Sequence, residues 1–322
     1  MQNYKVMSIS QDEINRAVSC LENGQLVAFP TETVYGLGVD ASNREAVKRL
    51  YHIKGRPEDH PSIVHLASLE QIYDWASEVP ELALKLAKNF WPGPMTLILP
   101  RQKHVMNEIT GGQDTVGIRI PSHPVAQALL KAFGRGVVAP SANRFGKISP
   151  TTAQHVHDDL GDDVAMVLDG GSCPVGVEST IVEFSSVTPK ILRPGMLTSS
   201  IIGGYLGIPI HTGSGIKAPG TLSRHYSPTA LSVTMNYADL LREHQENPAT
   251  LAIMSTSPDP CPRDGHTWIK MPNQPSSYAQ KLYAWLRYLD AMRPSKIIVQ
   301  TVPNEPDWEA ITDRIRRATC PR

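Results

Sequence analysis

The chain has 322 residues, 41% of them apolar, which suits one large or two ordinary domains with a sizeable core. Its 31 Lys and Arg balance 31 Asp and Glu, so no charge excess points to duplex nucleic acid or a membrane surface. Residues 1–210 hold 18 basic and 21 acidic residues, so any nucleic-acid contact would have to be local.

In chain order, "DEINRAVSCLENG" has helical spacing at Ile14, Val18 and Leu21, with Gly24 as its stop. "QLVAFP" reads as a buried strand. "PTETVYGLGVDA" follows, and Gly36-x-Gly38-x-x-Ala41 is a weak dinucleotide fingerprint. Its glycines do not open the helix directly, so a polar strand end at a pocket is preferred over a nicotinamide site, the plain alternative being a strand end that turns tightly through Gly36 and Gly38. "REAVKRLYHIKG" is a second helix, ending at Gly55-Arg56-Pro57. Lys54 and Arg56 at that exit, taken alone, are dipole-complementing cations. His65 in the strand "SIVHL", taken alone, is a core histidine.

Further strands are "MTLILP", "VGIRIP", "GVVAPSA", "AMVLDGG", "ESTIVEF" and "KILRPG"; helices are "PELALKLAKNF", "HPVAQALLKAFG" and "TTAQHVHDDLG". The alternation predicts an α/β fold, and the neighbouring strands near 165–193 predict a mixed sheet. Arg119 and Arg193 lie in otherwise apolar strands, where a cation is costly unless it meets an anion. With Lys54 and Arg56 they would form a polyanion cradle. Ser141, Asn143 and Ser149 in "APSANRFGKISP" suit phosphate oxygens or ribose, or an ordinary turn. "VGVEST" is not a GxSxG elbow. "HVHDDLGDD", with His155 and His157, reads as a solvated helix end and matches no standard zinc spacing.

Residues 211–228, "HTGSGIKAPGTLSRHYSP", lack an apolar period and read as a linker or lid. The alternation then restarts, giving a catalytic-sized domain at 1–210 and a small α/β domain at 229–322. Cys20, Cys173, Cys261 and Cys320 have no CxxC spacing and read as reduced thiols. No run approaches the ~20 apolar residues of a membrane span, so a cytoplasmic protein without membrane contact is expected.

"FPTETVYGLGVDA", "KGRPEDHPSIVHL", "WPGPMTLIL", "VGIRIP", "APSAN", "GVESTIV" and "ILRPG" occur in this order. Together they resemble the YrdC-like threonylcarbamoyl-AMP synthases, in the long, two-domain form. The resemblance implies a YrdC-like core with a twisted mixed sheet and a smaller C-terminal Rossmann-like α/β domain. It implies that L-threonine, bicarbonate or CO2, and ATP are joined into L-threonylcarbamoyl-adenylate with release of pyrophosphate. A downstream transferase complex would pass the group to adenosine beside the anticodon of tRNAs reading ANN codons, so tRNA is an indirect partner. Lys54, Arg56, Ser141 and Asn143 match the family's KxR…SxN tetrad and would carry the catalysis. On the ATP side stand Arg56, His60, Thr115, Ser141, Ser149, Arg193 and Tyr226. On the threonine side stand Thr33, His65, Arg119, Ala139 (by its backbone) and Ser179. Mg2+ would ride on the phosphates, with no direct protein ligand. The chain departs from the pattern at His60 and Ser62, where the family usually reads Asn-Pro-Leu; a protonated His60 would attract phosphate as pH falls through about 6.5. A carbamoyl-transfer enzyme and a double-stranded RNA-binding module are the rival readings.

Overall fold

The computed structural model describes residues 9–184, 188–213 and 215–321. Two compact units emerge. One joins the chain up to Phe145 with Ser149–Thr221, and the other joins Gly146–Ile148 with Leu222–Arg322.

The first unit contains α1 (Gln11–Glu22), β1 (Val27–Pro30), β2 (Tyr35–Asp40), α2 (Arg44–Lys54), β3 (Ile63–His65), α3 (Ile72–Trp75), α4 (Glu81–Phe90), β4 (Met95–Pro100), α5 (Asn107–Thr110), β5 (Thr115–Arg119), α6 (Pro124–Phe133), β6 (Val137–Val138), α7 (Ala153–Leu160), β7 (Met166–Val167), β8 (Thr180–Glu183), β9 (Lys190–Arg193) and α8 (Ser199–Leu206). The nine strands form one sheet in the order β7-β1-β2-β6-β3-β5-β4-β8-β9. The pairs β7-β1, β3-β5 and β4-β8 are parallel and the other five neighbouring pairs are antiparallel, which makes the sheet mixed, as predicted.

Residue alternation along the strands separates two cores, because successive side chains point to opposite faces. Val27 and Phe29 pack with α1 and α6, through Leu21, Ala126 and Leu130. Ala28 faces the other way, into the larger cluster with Leu50 of α2 and Val156 of α7. The predicted helices form where their caps allow. Ser10 and Glu13 make a reciprocal capping box on α1, and Gly24 follows the end of that helix at φ 68. Helix α2 starts at the Asn43 cap and stops at left-handed Gly55. Helix α8 was not expected: its Gly203-Gly204 pair has low helix propensity, and the Thr198 cap and burial of Ile202 and Leu206 outweigh it.

Two expectations are corrected. Gly36 and Gly38 do not form a turn. They lie inside β2, and the turn is at 31–34, where the Thr31 hydroxyl bonds the Val34 carbonyl. A Cβ on Gly38 would sit 2.7 Å from the Phe29 ring and 2.9 Å from Val137, so this glycine serves close packing. The segment 211–228 is not a single free connector either. Its first part belongs to the first unit, where His211 and Gly213 bond to Ile191 and Ala218 packs on Ile98, Ile181 and Leu192. Few apolar residues were available there, but Ile216 and Ala218 pack on Ile98, Ile181 and Leu192, and backbone groups of His211 and Gly213 find partners.

The second unit contains β10 (Ser232–Met235), α9 (Tyr237–Glu246), β11 (Leu251–Ser255), β12 (His266–Lys270), α10 (Pro275–Ala291), β13 (Lys296–Gln300) and α11 (Glu309–Ala318). Its four strands are all parallel, in the order β10-β13-β11-β12. Gly146–Ile148 joins it through the Ser227 amide on the Gly146 carbonyl, Lys147 on Thr229, and Arg287 on the Ile148 carbonyl. No helix among the described residues is long and apolar enough to cross a membrane.

Gly38→Ala is expected to destabilise the protein by about 1–3 kcal/mol, since Phe29 and Val137 are fully buried and must shift. Urea denaturation would read this as a lower midpoint at constant slope. An unchanged midpoint would show that the neighbours yield without cost.

Candidate active site

Four stretches of the first unit converge: the α2 exit (54–62), the β1–β2 turn (31–34), the residues after β6 that belong to this unit (139–145 and 149) and the loop before β8 (175–180). Hydrogen bonds knit them together. The Lys54 ammonium donates to the carbonyls of Ser141 and Asn143, and the Lys54 carbonyl accepts from the Phe145 amide. The four residues of the expected tetrad are thus brought together around one buried cation. Lys54 is 2% exposed. Burial, then the nearby Arg56 guanidinium, holds its pKa well below the ordinary lysine value. No carboxylate lies within ion-pair distance of it among the described residues.

Arg56 donates to the carbonyls of His60 and Pro61, and its guanidinium lies over the rings of Tyr51 at 5.8 Å and Phe145 at 5.6 Å. It is therefore a packed, buried residue, and its removal would disturb the 56–61 loop as well as any phosphate contact. His60 sits edge-on to Phe145 at 5.3 Å. Partial burial, then Arg56, lowers its pKa from the ordinary 6.5. The expected gain of phosphate affinity on protonation is thereby moved to lower pH.

Arg193 donates through Nε and Nη2 to the Ser179 carbonyl, through Nη2 to the Ser179 hydroxyl at 3.0 Å, and through Nη1 to the Pro219 carbonyl. The Ser149 hydroxyl donates to buried Glu178 at 2.6 Å. Thr115 opens β5 and lines a narrow cleft with Ser62, Thr96, Gly117 and Pro219.

The threonine-side set is equally dense. Arg119 Nη1 donates to the Thr33 hydroxyl at 2.9 Å, and Nη2 pairs with Glu32 at 2.7 Å. The second Glu32 oxygen accepts from the Ser122 amide at 3.0 Å. The Gly176 amide donates to the Thr33 carbonyl, and the Ser179 hydroxyl is 2.8 Å from that of Thr96. The Ala139 amide is used on the Ile63 carbonyl, so a backbone contact by Ala139 would use its carbonyl. His65 lies opposite Arg119 in the β3–β5 pairing and edge-on to Phe29.

All the expected site residues but one thus lie in the first unit. Tyr226 lies in the second, with its ring buried there against Tyr283. Sequence reasoning passed over Glu32, Glu178 and Thr96. Glu32 stood in the polar crowd "PTET", and its pairing with Arg119 depends on a contact 87 positions away in sequence that no local pattern carries. Among the described residues no three His, Cys, Asp or Glu side chains gather as metal ligands. The donor set is ammonium, guanidinium and hydroxyl, which fits an anion.

A family profile described as "Telomere recombination" (Sua5, YciO, YrdC) matches residues 19–195, and one described as "Threonylcarbamoyl-AMP synthase, C-terminal domain" matches residues 191–320. A threonylcarbamoyl-AMP synthase of Pyrococcus abyssi is 37% identical over 97% of this chain and 95% of its own length. One of Bacillus subtilis is 38% identical over 97% and 94%. The crystal structure of P. abyssi Sua5 complexed with L-threonine superposes with a TM-score of 0.89, at 36% identity, over 97% of this chain and 95% of that one.

Burial, then the Arg119 charge, pushes the His65 pKa down to about 3. Above the unfolded value of about 6.5, both folded and unfolded His65 are neutral and stability is intact. As pH falls from 6.5 toward 3, only the unfolded chain takes the proton, and stability is lost. His65→Asn should flatten this loss by up to about 1.4 kcal/mol per pH unit in that window, read by denaturant titration across pH. Parallel profiles for the two proteins would place the acid sensitivity elsewhere.

Proposed function

We infer the function from the premise that this chain belongs to the Sua5/YciO/YrdC family of threonylcarbamoyl-AMP synthases. It is an L-threonylcarbamoyladenylate synthase, a nucleotidyltransferase that joins L-threonine, bicarbonate or CO2, and ATP, and releases pyrophosphate. The observation that carries this reading is the wall shared by the two substrate sides. Residues 176–179 are bonded to Thr33 at one end, through the Gly176 amide, and to Arg193 at the other, through Ser179. A carbamate formed on the threonine side therefore has a short path to a phosphate on the nucleotide side.

The residue roles follow from the chemistry. The threonine amine adds CO2 and gives up a proton to form a carbamate, and an oxygen of that carbamate attacks the α-phosphorus as pyrophosphate leaves, while the threonine carboxylate stays free. No protein nucleophile is required. The work is positioning and charge stabilisation in a dry site. Thr33, Arg119 and Ser179 orient the amino acid, with Glu32 fixing the angle of the Arg119 guanidinium. His65, kept neutral, meets it without adding charge. Lys54, Arg56 and Arg193 face the triphosphate, with Ser141, Asn143, Ser149 and Thr115 as hydrogen-bonding groups. Mg2+ would enter on the ATP phosphates and supply further neutralisation there. Tyr226 is read as a nucleotide-side residue. The adenylate would be consumed in the cytoplasm by a transferase complex acting on tRNAs that read ANN codons.

Pyrophosphate release on incubation with ATP should require both threonine and bicarbonate, and mass spectrometry should find the threonylcarbamoyl adenylate. Release that runs equally fast without threonine would overturn the assignment.

A further inference from the structure

Within the first unit, the backbone around Ser179 is held from every side. Strands β4 and β8 pair in parallel, with Thr96 opposite Ile181. The Thr180 amide donates to the Pro94 carbonyl at 3.0 Å, and the Thr180 hydroxyl donates to the Leu197 carbonyl at 2.8 Å. Gly195 packs so closely that a Cβ there would meet the Thr180 nitrogen at 2.4 Å and the Ser179 carbonyl carbon at 2.8 Å. Arg193 Nε and Nη2 hold the Ser179 carbonyl at 3.1 and 3.0 Å. The Ser179 hydroxyl is thus presented from a fixed point, and what remains adjustable is the direction of its hydrogen.

That direction can be counted out. A hydroxyl has one hydrogen to donate and two lone pairs to accept with, whereas a guanidinium only donates. Among the described residues, the Thr96 hydroxyl has one hydrogen-bond partner, the Ser179 hydroxyl at 2.8 Å. The Ser179 hydroxyl has two, Thr96 and Arg193 Nη2 at 3.0 Å. Both Thr96 and Ser179 are 0% exposed. If Ser179 donates to Thr96, the buried Thr96 hydrogen has no acceptor within the protein. If Thr96 donates to Ser179, both lone pairs of Ser179 are filled, and the Ser179 hydrogen is the one left over. Either way the pair carries one surplus hydrogen, and a buried donor without an acceptor is costly. An acceptor atom on a ligand beside Ser179 removes that cost. It also selects the second arrangement, in which Thr96 and Arg193 donate to Ser179 and Ser179 donates onward, each bond polarising the next.

We propose that Thr96 is a positioning residue for the amino acid: with Arg193 it fills the lone pairs of Ser179 and turns the Ser179 hydroxyl into a pure donor. The group recognised there is an anionic oxygen of the amino acid, either its carboxylate or the carbamate formed on its amine. An ammonium or another donor is refused, so the pair also fixes which end of the substrate faces β8. The inference rests on the reading of Ser179 as a threonine-side residue.

Steady-state kinetics of the full chain test it. Thr96→Val keeps the shape of the side chain and suits a strand, but removes the hydroxyl. It should raise the KM for threonine about 3- to 10-fold, with the KM for ATP within about two-fold. Thr96→Ser should recover most of the loss. Thr96→Ala should give the same split as Thr96→Val, which covers a failure of the valine variant to fold. If Thr96 acts through Ser179, the double variant Thr96→Val with Ser179→Ala should be no worse for threonine than Ser179→Ala alone. Calorimetric titration with threonine in carbonate-free buffer separates the two acceptors. Weaker binding by Thr96→Val assigns the carboxylate, and equal binding with a raised KM assigns the carbamate. An unchanged KM for threonine in a Ser179→Ala protein that still makes the adenylate would remove the reading of Ser179 and this inference with it. A raised KM for threonine in Ser179→Ala but not in Thr96→Val would overturn the role of Thr96 alone. So would equal rises in both KM values, no rescue by Thr96→Ser, or effects that multiply in the double variant.

Discussion

The Lys54 ammonium is the constraint on which the site depends. It is buried at the end of α2 and held by two backbone carbonyls rather than by a carboxylate. Carbonyl dipoles orient a cation without cancelling its charge. A carboxylate partner would stabilise the ammonium more fully and leave less attraction for a phosphate. The low pKa of Lys54 is the cost of that arrangement, and it follows from burial beside Arg56. The same two carbonyls tie the α2 exit to the loop after β6, so the cation proposed for the phosphates also fixes the geometry of its neighbours.

The residues proposed for the threonine side solve the opposite problem. Arg119 is nearly as buried as Lys54, but it is paired with Glu32 and bonded to Thr33. Its orientation is thereby set before any ligand carboxylate arrives, and its charge is tempered. His65 on the adjacent strand has its pKa lowered by burial first and then by Arg119 opposite it, which favours the neutral ring. The sheet order explains why these groups meet. Strands β3 and β5 run in parallel and carry His65 and Arg119 to the same end, and the β1–β2 turn brings Glu32 and Thr33 there from a different part of the sequence. The loop 175–180 closes the gap to Arg193.

Much of this was legible in the sequence. The α/β class, the mixed sheet, and the helices from Gln11, Arg44, Glu81, Pro124 and Ala153 follow from apolar period and capping residues. Arg119 and Arg193 were conspicuous as cations in apolar strands, and the tetrad was carried by its motif. What escaped was either non-local or ambiguous in period. Glu32 and Glu178 are ordinary acidic residues until the fold sets them beside Arg119 and Ser149. Gly36 and Gly38 suggested a turn because glycine is the usual turn residue, whereas here the missing side chains make room for Phe29 and Val137. The linker looked featureless because its partners, Ile191 and Gln113 on one side and Arg317 on the other, lie far away in sequence.

The central claim is that Lys54 is a charge reserved for the triphosphate. A bound polyanion must raise the depressed Lys54 pKa, so ATP binding should take up protons at pH values between the depressed value and the ordinary lysine value of about 10.4. Calorimetric titration with ATP in two buffers of different ionisation enthalpy measures that uptake directly. The account predicts an uptake that grows as pH rises into this window and is abolished by Lys54→Met. ATP binding with no proton uptake at any pH in the window, or an uptake unchanged in Lys54→Met, would contradict it.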